Sequence, residues 1–525
     1  MVFNEDLLEK RQKLIDSGVN PYPYSFEISH TISKIREIAA EWMEKPVAVA
    51  GRITALRQQG KKVFFADIED FDNRIQIYLK QSDLSEEEWN TVLLLDIGDW
   101  VGIRGLLFAT KTGELTIWTK DSKESEAEDA PIIKGIEILA KAVIRVPISK
   151  EKGDKKYYQL SDPEMLYRQR YLQWITEKKA REVMVQRAHI ISSIRRFMES
   201  RGFLEVTTPT LEMIYGGASA RPFETTVAAL SNEKAYMRIS PELQLKKFIV
   251  GGFPKVFSIC QNFRNEGIDR SHNPEFTMME WYEAFTDYNY QMVQFETLVS
   301  SLVKEIHGSY KMTYQGTELD FTMPWKRVTI IDGLKEFANC DVNAMTDEEL
   351  IARIKEADPE YKVPEPFSRG HVINALFEAL CEEHLVQPTF VMDHPLAISP
   401  LTKKKRGNPE LVERFEPYVM RMEIGNAYSE LTDPVEQFGR LQAQRQYDGQ
   451  AIEEDGVPHY PVDMDFVKAI SLGMPPTGGV GIGLDRIIML LTDQPCIRDV
   501  IAFPLMKKID IPMETESKET ESKES

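Results

Sequence analysis

Lys255-Val-Phe-Ser-Ile-Cys-Gln-Asn-Phe-Arg-Asn-Glu266, and after it Glu275-Phe-Thr-Met-Met-Glu-Trp-Tyr282, is the stretch that decides the fold. Side chains alternate across a strand, so residues two apart share a face. In the first run Phe257, Ile259 and Phe263 lie on one side, and Ser258, Cys260, Asn262 and Arg264 on the other. An apolar face for packing therefore backs a polar face that ends in an arginine. Gly267 to Pro274 is turn-forming, and the second run reads as the returning strand, with Phe276, Met278, Glu280 and Tyr282 together. An aromatic ring, a carboxylate and a phenol on one face can stack a base and hold a cation.

Further along, Ile424-Gly-Asn-Ala-Tyr-Ser-Glu-Leu431 puts Asn426, Tyr428 and Glu430 on one face by the same rule. Glu416 and Glu423 lie just upstream, and period two does not assign their faces. Gly479-Val-Gly-Ile-Gly483 allows a backbone to come close to a ligand, and Asp485 then opens a helix that begins Arg486-Ile-Ile-Met. Arg264 and Arg486 each present a planar fork of donors, so two of them brought together clamp a polyphosphate. More familiar nucleotide sites are missing. There is no phosphate-cradling Gly-x-x-x-x-Gly-Lys loop, and the 479–483 glycines are not spaced as the dinucleotide fingerprint. Taken singly, an arginine on a sheet edge is normally solvated, Phe276 would be core, and Glu280 would partner Arg264. Their occurrence in order, with consistent faces, outweighs those readings.

The 525 residues suffice for two to four domains, and 42% hydrophobic with 10% aromatic residues is ordinary for a folded chain. A net charge of -19 argues only weakly against nucleic acid, because local basic groups such as Arg52, Arg57, Lys61, Lys62 and Arg74 matter more. No apolar run reaches membrane-spanning length and no leader is visible, so no membrane is expected and the cytoplasm is the default compartment. Cys260, Cys340, Cys381 and Cys496 have neither metal nor disulfide spacing. Residues 1–45 read as two helices, about 5–17 and 32–42. From 46 to 146 the texture changes to short β-rich runs, which predict a closed barrel of about five strands, an oligonucleotide-binding (OB) fold. A linker spans 147–180, and one large α+β domain covers 181–508, with a helical insertion at about 335–385. The repeated Thr-Glu-Ser-Lys-Glu tail, 509–525, reads as disordered.

Three blocks, Arg201-Gly-Phe-Leu-Glu-Val-Thr-Thr-Pro209, Phe263-Arg-Asn-Glu266 and Gly479 to Arg486, resemble the signature motifs of class II aminoacyl-tRNA synthetases. Gly216-Gly-Ala-Ser-Ala-Arg-Pro-Phe223, Pro241-Glu-Leu243, His272-Asn-Pro-Glu-Phe-Thr-Met-Met-Glu280 and Glu423 to Leu431 are similar to bacterial-type lysyl-tRNA synthetases. The resemblance covers all but the tail and the acidic 120–129 stretch.

That resemblance implies an antiparallel sheet flanked by helices, a first motif that forms a homodimer interface, and an ATP-dependent ligation of L-lysine to the 3′ end of tRNA(Lys). Arg264 would contact the α-phosphate and the amino acid carboxylate, and Arg486 the γ-phosphate; Phe276 would stack on adenine, with Glu266 and His272 nearby. Glu416 and Glu423 would bind magnesium. Gly217 and Glu242 would hold the α-amino group of lysine and Asn426 its carboxylate end, while Glu280, Tyr282 and Glu430 would enclose the ε-ammonium. Phe65, Gln76 and Glu137 would read the anticodon, although Phe65 could equally be barrel core. An aspartyl or asparaginyl enzyme of the same domain order is the nearest alternative. Glu280 and Glu430 speak against it, since a buried ammonium needs a carboxylate. A catalytically silent RNA-binding relative is the other, and the complete motif set disfavours it.

Overall fold

The computed structural model describes residues 3–71, 73–120, 135–147, 150–152, 155–157, 162–451 and 462–508. The C-terminal repeat and the acidic stretch from 121 onward lie outside the described residues. The chain divides into two compact units, one running to Glu177 and taking in Lys507, the other Lys178–Met506.

The first unit opens with the helix Glu5–Asp16, capped by the Asn4 side chain, and the helix Ile32–Trp42, capped by Thr31. Both caps satisfy an orphan N–H of the first turn. The strands Pro46–Gln58, Val63–Glu69, Arg74–Lys80, Leu115–Trp118 and Trp100–Ala109 follow one another in the sheet. The last pairs back to the first, so these five close a barrel. A sixth strand, Gly135–Ala140, pairs outside Trp100–Ala109; the short Gly-Ile-Glu-Ile-Leu-Ala run escaped the pattern reading. Alternation sets the core. Phe64, Ala66 and Ile68 point inward beside Ile75, Ile77 and Leu79. At one point the interior is ionic: Lys141, fully buried, donates to Asp99 at 2.9 Å and Asp96 at 2.6 Å.

The second unit is built on a mixed sheet. Its strands run in the order Lys326–Thr329, Thr389–Met392, Arg414–Val419, Gly425–Ser429, Thr477–Gly483, Glu275–Ala284, Lys255–Phe263 and Leu204–Glu205. Pairings are antiparallel through the middle and parallel at the two ends. The helices Lys178–Ser200, Tyr288–His307 and Leu484–Leu491 contribute Ile190, Phe295, Leu298 and Ile488 to its core, where Trp281, Phe390 and Phe415 also pack. The helix-rich segment expected at 335–385 is the connection between the parallel strands Lys326–Thr329 and Thr389–Met392. A parallel pair needs such a crossover. Its helices Ile330–Ala338, Asp347–Ala357 and Arg369–Cys381 form a small core of their own around Leu334, Leu350 and Leu376.

Candidate active site

The strand Thr477–Gly483 runs between Glu275–Ala284 and Gly425–Ser429, and its glycines make the hole. Gly479 stands in register with Tyr282 on one side and Tyr428 on the other; Gly481 stands between Glu280 and Asn426. With no side chain on the face of that strand that carries Gly479, Gly481 and Gly483, the flanking polar groups border a cavity of about 350 Å³. A Cβ at Gly479 would lie 2.0 Å from Glu430 Oε1 and 2.5 Å from the Tyr282 ring, so only glycine fits.

One end of this region is crowded with carboxylates. Glu280, buried, accepts from Ser240 Oγ at 2.7 Å and from the Tyr282 hydroxyl at 3.0 Å. Glu242, at the start of the helix Glu242–Val250, accepts from the Tyr428 hydroxyl at 2.7 Å through one oxygen. Its other oxygen lies 2.5 Å from Lys246 Nζ, one helical turn on. The same ammonium is 2.5 Å from Glu430 Oε2, and neither Lys246 nor Glu430 is exposed at all. Burial, followed by the nearby charge of Glu242, pushes Glu280 up to about 7. Glu430 is also raised: burial and two neighbouring carboxylates oppose its ionisation, against a single ammonium. Burial works against the charge on Lys246 too, but its two carboxylate partners outweigh that and hold it protonated. Glu242 and Glu430 thus share the Lys246 ammonium, while the cation that favours the charge on Glu280 is Arg264, its effect outweighed by burial and by Glu242.

The other end is cationic. Arg264 carries a buried Nε with no hydrogen-bond partner, and its guanidinium lies 5.1 Å from the centre of the Phe276 ring. Arg486 donates to the Glu423 carbonyl at 2.6 Å and approaches His272 Nε2 at 2.9 Å. A guanidinium can only donate, so Nε2 accepts and the imidazole proton sits on Nδ1, which faces Asp269 at 2.8 Å. Arg486 is aimed by the helix Leu484–Leu491. Asp485, in its first turn, accepts from the Thr277 N–H at 2.7 Å and from Arg187 at 2.5 Å, which ties the helix to the neighbouring strand.

Glu416 and Glu423 stand on a tight hairpin whose turn residues Met420 and Arg421 both have positive φ. Tyr418 pairs directly with Glu423, so Glu416, two residues away, shares its face. Burial disfavours the charge on Glu416, yet Arg414 at 2.5 Å and His394 at 3.3 Å hold it below the ordinary carboxylate range. Glu423 is pushed up to about 7 by removal from water and by the charge of Glu416. A carboxylate destabilised by its neighbour is one that a cation would ionise.

In the barrel, Phe65 belongs to the outer face and is only half-buried. It lies 4.9 Å from Tyr78, which also contacts Trp118 and Phe108, so four aromatic rings tile adjacent strands. Gln76 is on the same face and accepts from Thr116 Oγ1 at 3.1 Å. Glu137 is elsewhere, on the outermost strand opposite Gly102, with Arg104 at 3.6 Å.

Comparison with known proteins agrees with this geometry. Residues 162–507 match the family described as tRNA synthetases class II (D, K and N), and residues 47–121 match the OB-fold nucleic acid binding domain. The chain is 45% identical over 511 residues to the lysine–tRNA ligase of Clostridium acetobutylicum, covering 96% of this chain and 94% of that protein. It is 44% identical over 510 residues to that of Thermoanaerobacter pseudethanolicus, covering 96% of each. The identity is 43% over 510 residues to that of Methanoculleus marisnigri. The chain belongs to the class II lysyl-tRNA synthetases.

Against this family background, the structure gathers most of the residues singled out from sequence. Gly217, Glu242, Arg264, Glu266, His272, Phe276, Glu280, Tyr282, Glu416, Glu423, Asn426 and Arg486 all border the one cavity. Glu430 does not line it: its carboxylate sits against Gly479, where a Cβ would project, and is engaged by Lys246. Glu137 does not join Phe65 and Gln76. Four groups went unnoticed in the sequence, namely Lys246, Ser240, Arg187 and Tyr78. The Glu242-to-Lys246 spacing, one turn of helix, is the signal that could have flagged the first.

Proposed function

We propose that this chain is a lysine–tRNA ligase, which activates L-lysine with ATP and passes the lysyl group to the 3′ end of tRNA(Lys). The observation that carries the substrate choice is the crowding of three buried carboxylates, Glu242, Glu280 and Glu430, at one end of the site, where the Lys246 ammonium meets only Glu242 and Glu430. Lysine brings ammonium groups for that end and one carboxylate for the Arg264 guanidinium, whose buried Nε has no hydrogen-bond partner among the described residues. Aspartate would add negative charge to the crowded end.

Glu280 and Tyr282 would face the ε-ammonium, with Glu430 next to the Tyr282 ring. Gly217 and Glu242 would take the α-ammonium. Asn426 Oδ1 already accepts from Arg414 Nε at 3.0 Å, which turns its amide N–H toward the substrate carboxylate. Phe276 would stack on the base, with Glu266 and His272 beside it. Arg264 would bridge carboxylate and α-phosphate, and Arg486 would hold the terminal phosphate. Glu416 and Glu423 fit a magnesium ion shared with ATP, since such ions take one or two carboxylates plus phosphate oxygens. When bound it would offset phosphate charge.

Chemistry then needs positioning more than a protein nucleophile. A lysine carboxylate oxygen attacks the α-phosphorus, the bond to the β-phosphate oxygen breaks, and pyrophosphate leaves. The terminal 3′-hydroxyl of the tRNA then attacks the carbonyl carbon of the mixed anhydride, and AMP departs. The barrel's aromatic face would stack anticodon bases, with Gln76 reading an edge.

The exposed Leu204, Leu211, Met213 and Ile214 cluster in sequence in and just after the first motif block and suit a second copy of the chain; sedimentation showing a monomer at micromolar concentration would remove that part. The cytoplasm, which holds ATP and tRNA, also suits four buried cysteines that are all free. Among the described residues no helix is long and apolar enough to cross a membrane. Aminoacylation of tRNA(Lys) with radiolabelled lysine tests the whole reading. Lysine- and ATP-dependent charging is expected, and failure to charge with active ATP binding would refute it.

A further inference from the structure

We infer that Lys246 is a positioning residue for amino acid selection: an internal counter-charge that fixes the carboxylates of Glu242 and Glu430 beside the cavity. The inference deepens the ligase reading and rests on it.

The geometry is specific. Lys246 Nζ stands 2.5 Å from both Glu242 Oε1 and Glu430 Oε2. Its remaining surroundings are aromatic, with the rings of Tyr282, Tyr428 and Phe466 centred 6.0, 5.6 and 5.9 Å away. Its side chain is fully buried, out of contact with bulk water. A lysine in such a place is not there for solubility. An ammonium strongly prefers water, and burying one is costly unless it is paired. Here it does two things. It anchors one oxygen of Glu242 while Tyr428 anchors the other, so the carboxylate cannot turn. Among the described residues it also supplies the only cation within contact of Glu430.

The ionisable groups facing Lys246 and Glu430 are Glu242, Glu280, Tyr282 and Tyr428. The tyrosines stay neutral, since burial and the surrounding carboxylates raise both well above their ordinary value. Removing Lys246 therefore leaves Glu430 without the one cation that favours its charge, while burial and the neighbouring carboxylates still oppose its ionisation.

The test uses the full chain in lysine-dependent ATP–pyrophosphate exchange. Lys246→Met, which keeps the length and loses the charge, should raise the lysine KM about tenfold or more, as expected for a charged contact loosened, with a smaller change in kcat and none in the ATP KM. Its lysine kcat/KM should show a new ionisation in addition to that of Glu280, which the wild type already has. Lys246→Met combined with Glu430→Gln removes one charge of each sign, so it should bring the lysine KM back to within about threefold of wild type and abolish the new ionisation. If Lys246→Met does not fold, as judged by melting, the double variant alone decides: a near-normal lysine KM supports the inference and a tenfold defect overturns it. An unchanged lysine KM and pH profile in folded Lys246→Met also overturns it, as does a double variant no better than the single. Absence of lysine-dependent exchange in the wild-type chain would remove the ligase reading itself, whereas exchange unaffected by Lys246→Met removes only this inference.

Discussion

Glu280 should cost the folded protein stability in exchange for substrate recognition, and Glu280→Gln should expose both sides of that trade. The carboxyl is buried and held at about 7 against an ordinary 4.5, chiefly by loss of water and then by Glu242. The unfolded chain therefore releases this proton at lower pH than the folded one. Between 4.5 and 7 the folded state binds more protons, so stability falls as pH rises, and the full penalty is present above 7. Its size is about 3 kcal/mol, at 1.36 kcal/mol per pKa unit. The amide keeps the shape and can still meet Ser240 and Tyr282, yet never ionises. Urea unfolding at pH 8 should thus find the variant more stable by up to about 3 kcal/mol, with the gain shrinking toward zero as pH falls to 4.5. The lysine KM should rise by about ten- to a hundredfold, as a charged hydrogen bond is worth about 1.5–3 kcal/mol. In the wild type, lysine affinity should weaken below pH 7 as Glu280 takes up its proton. A variant less stable than wild type at pH 8, or one with an unchanged lysine KM, would refute this electrostatic account.

Other substitutions separate the parts of the site. Arg264→Ala should slow lysine-dependent pyrophosphate exchange by about a hundredfold or more, in line with losing one electrostatic stabiliser, while tRNA affinity measured by filter binding stays the same. Gly479→Ala places a methyl 2.0 Å from Glu430 Oε1 and 2.5 Å from Tyr282; exchange should fall sharply while ATP binding, followed calorimetrically, persists, and near-normal lysine turnover would contradict the packing of the hole. Phe65→Ala should weaken tRNA(Lys) binding by about 1–3 kcal/mol, the worth of one stacked base, and leave lysine activation without tRNA unaltered.

Period two carried much of the fold because the strands that build the site are regular. The 275–284 and 425–429 strands put Glu280, Tyr282, Asn426 and Tyr428 where alternation said, and the helix Ile32–Trp42 matched its expected span. Where the backbone leaves that period, legibility ended. Glu416 and Glu423 could not be assigned faces because two consecutive positive-φ residues turn the chain between them. Glu430 follows the alternation of its strand but falls past its regular end at Ser429, and its carboxylate is taken up by Lys246 instead of lining the cavity. Lys246 was invisible for a different reason: nothing local marks a lysine as buried, and only the folded neighbourhood reveals its carboxylates. Phe65, ambiguous in sequence, is settled as outward-facing by its neighbours Phe64 and Ala66, which fill the barrel core. The parallel edge of the catalytic sheet went unread because pairing direction is a property of topology, not of any one strand.

The account stands or falls on amino acid choice, and pyrophosphate exchange with each standard amino acid in turn measures that choice directly. Lysine alone should support rapid exchange, with ornithine, one methylene shorter, weaker by a modest factor of about 10–200. Asparagine or aspartate turning over as fast as lysine would contradict a pocket built on unbalanced carboxylates.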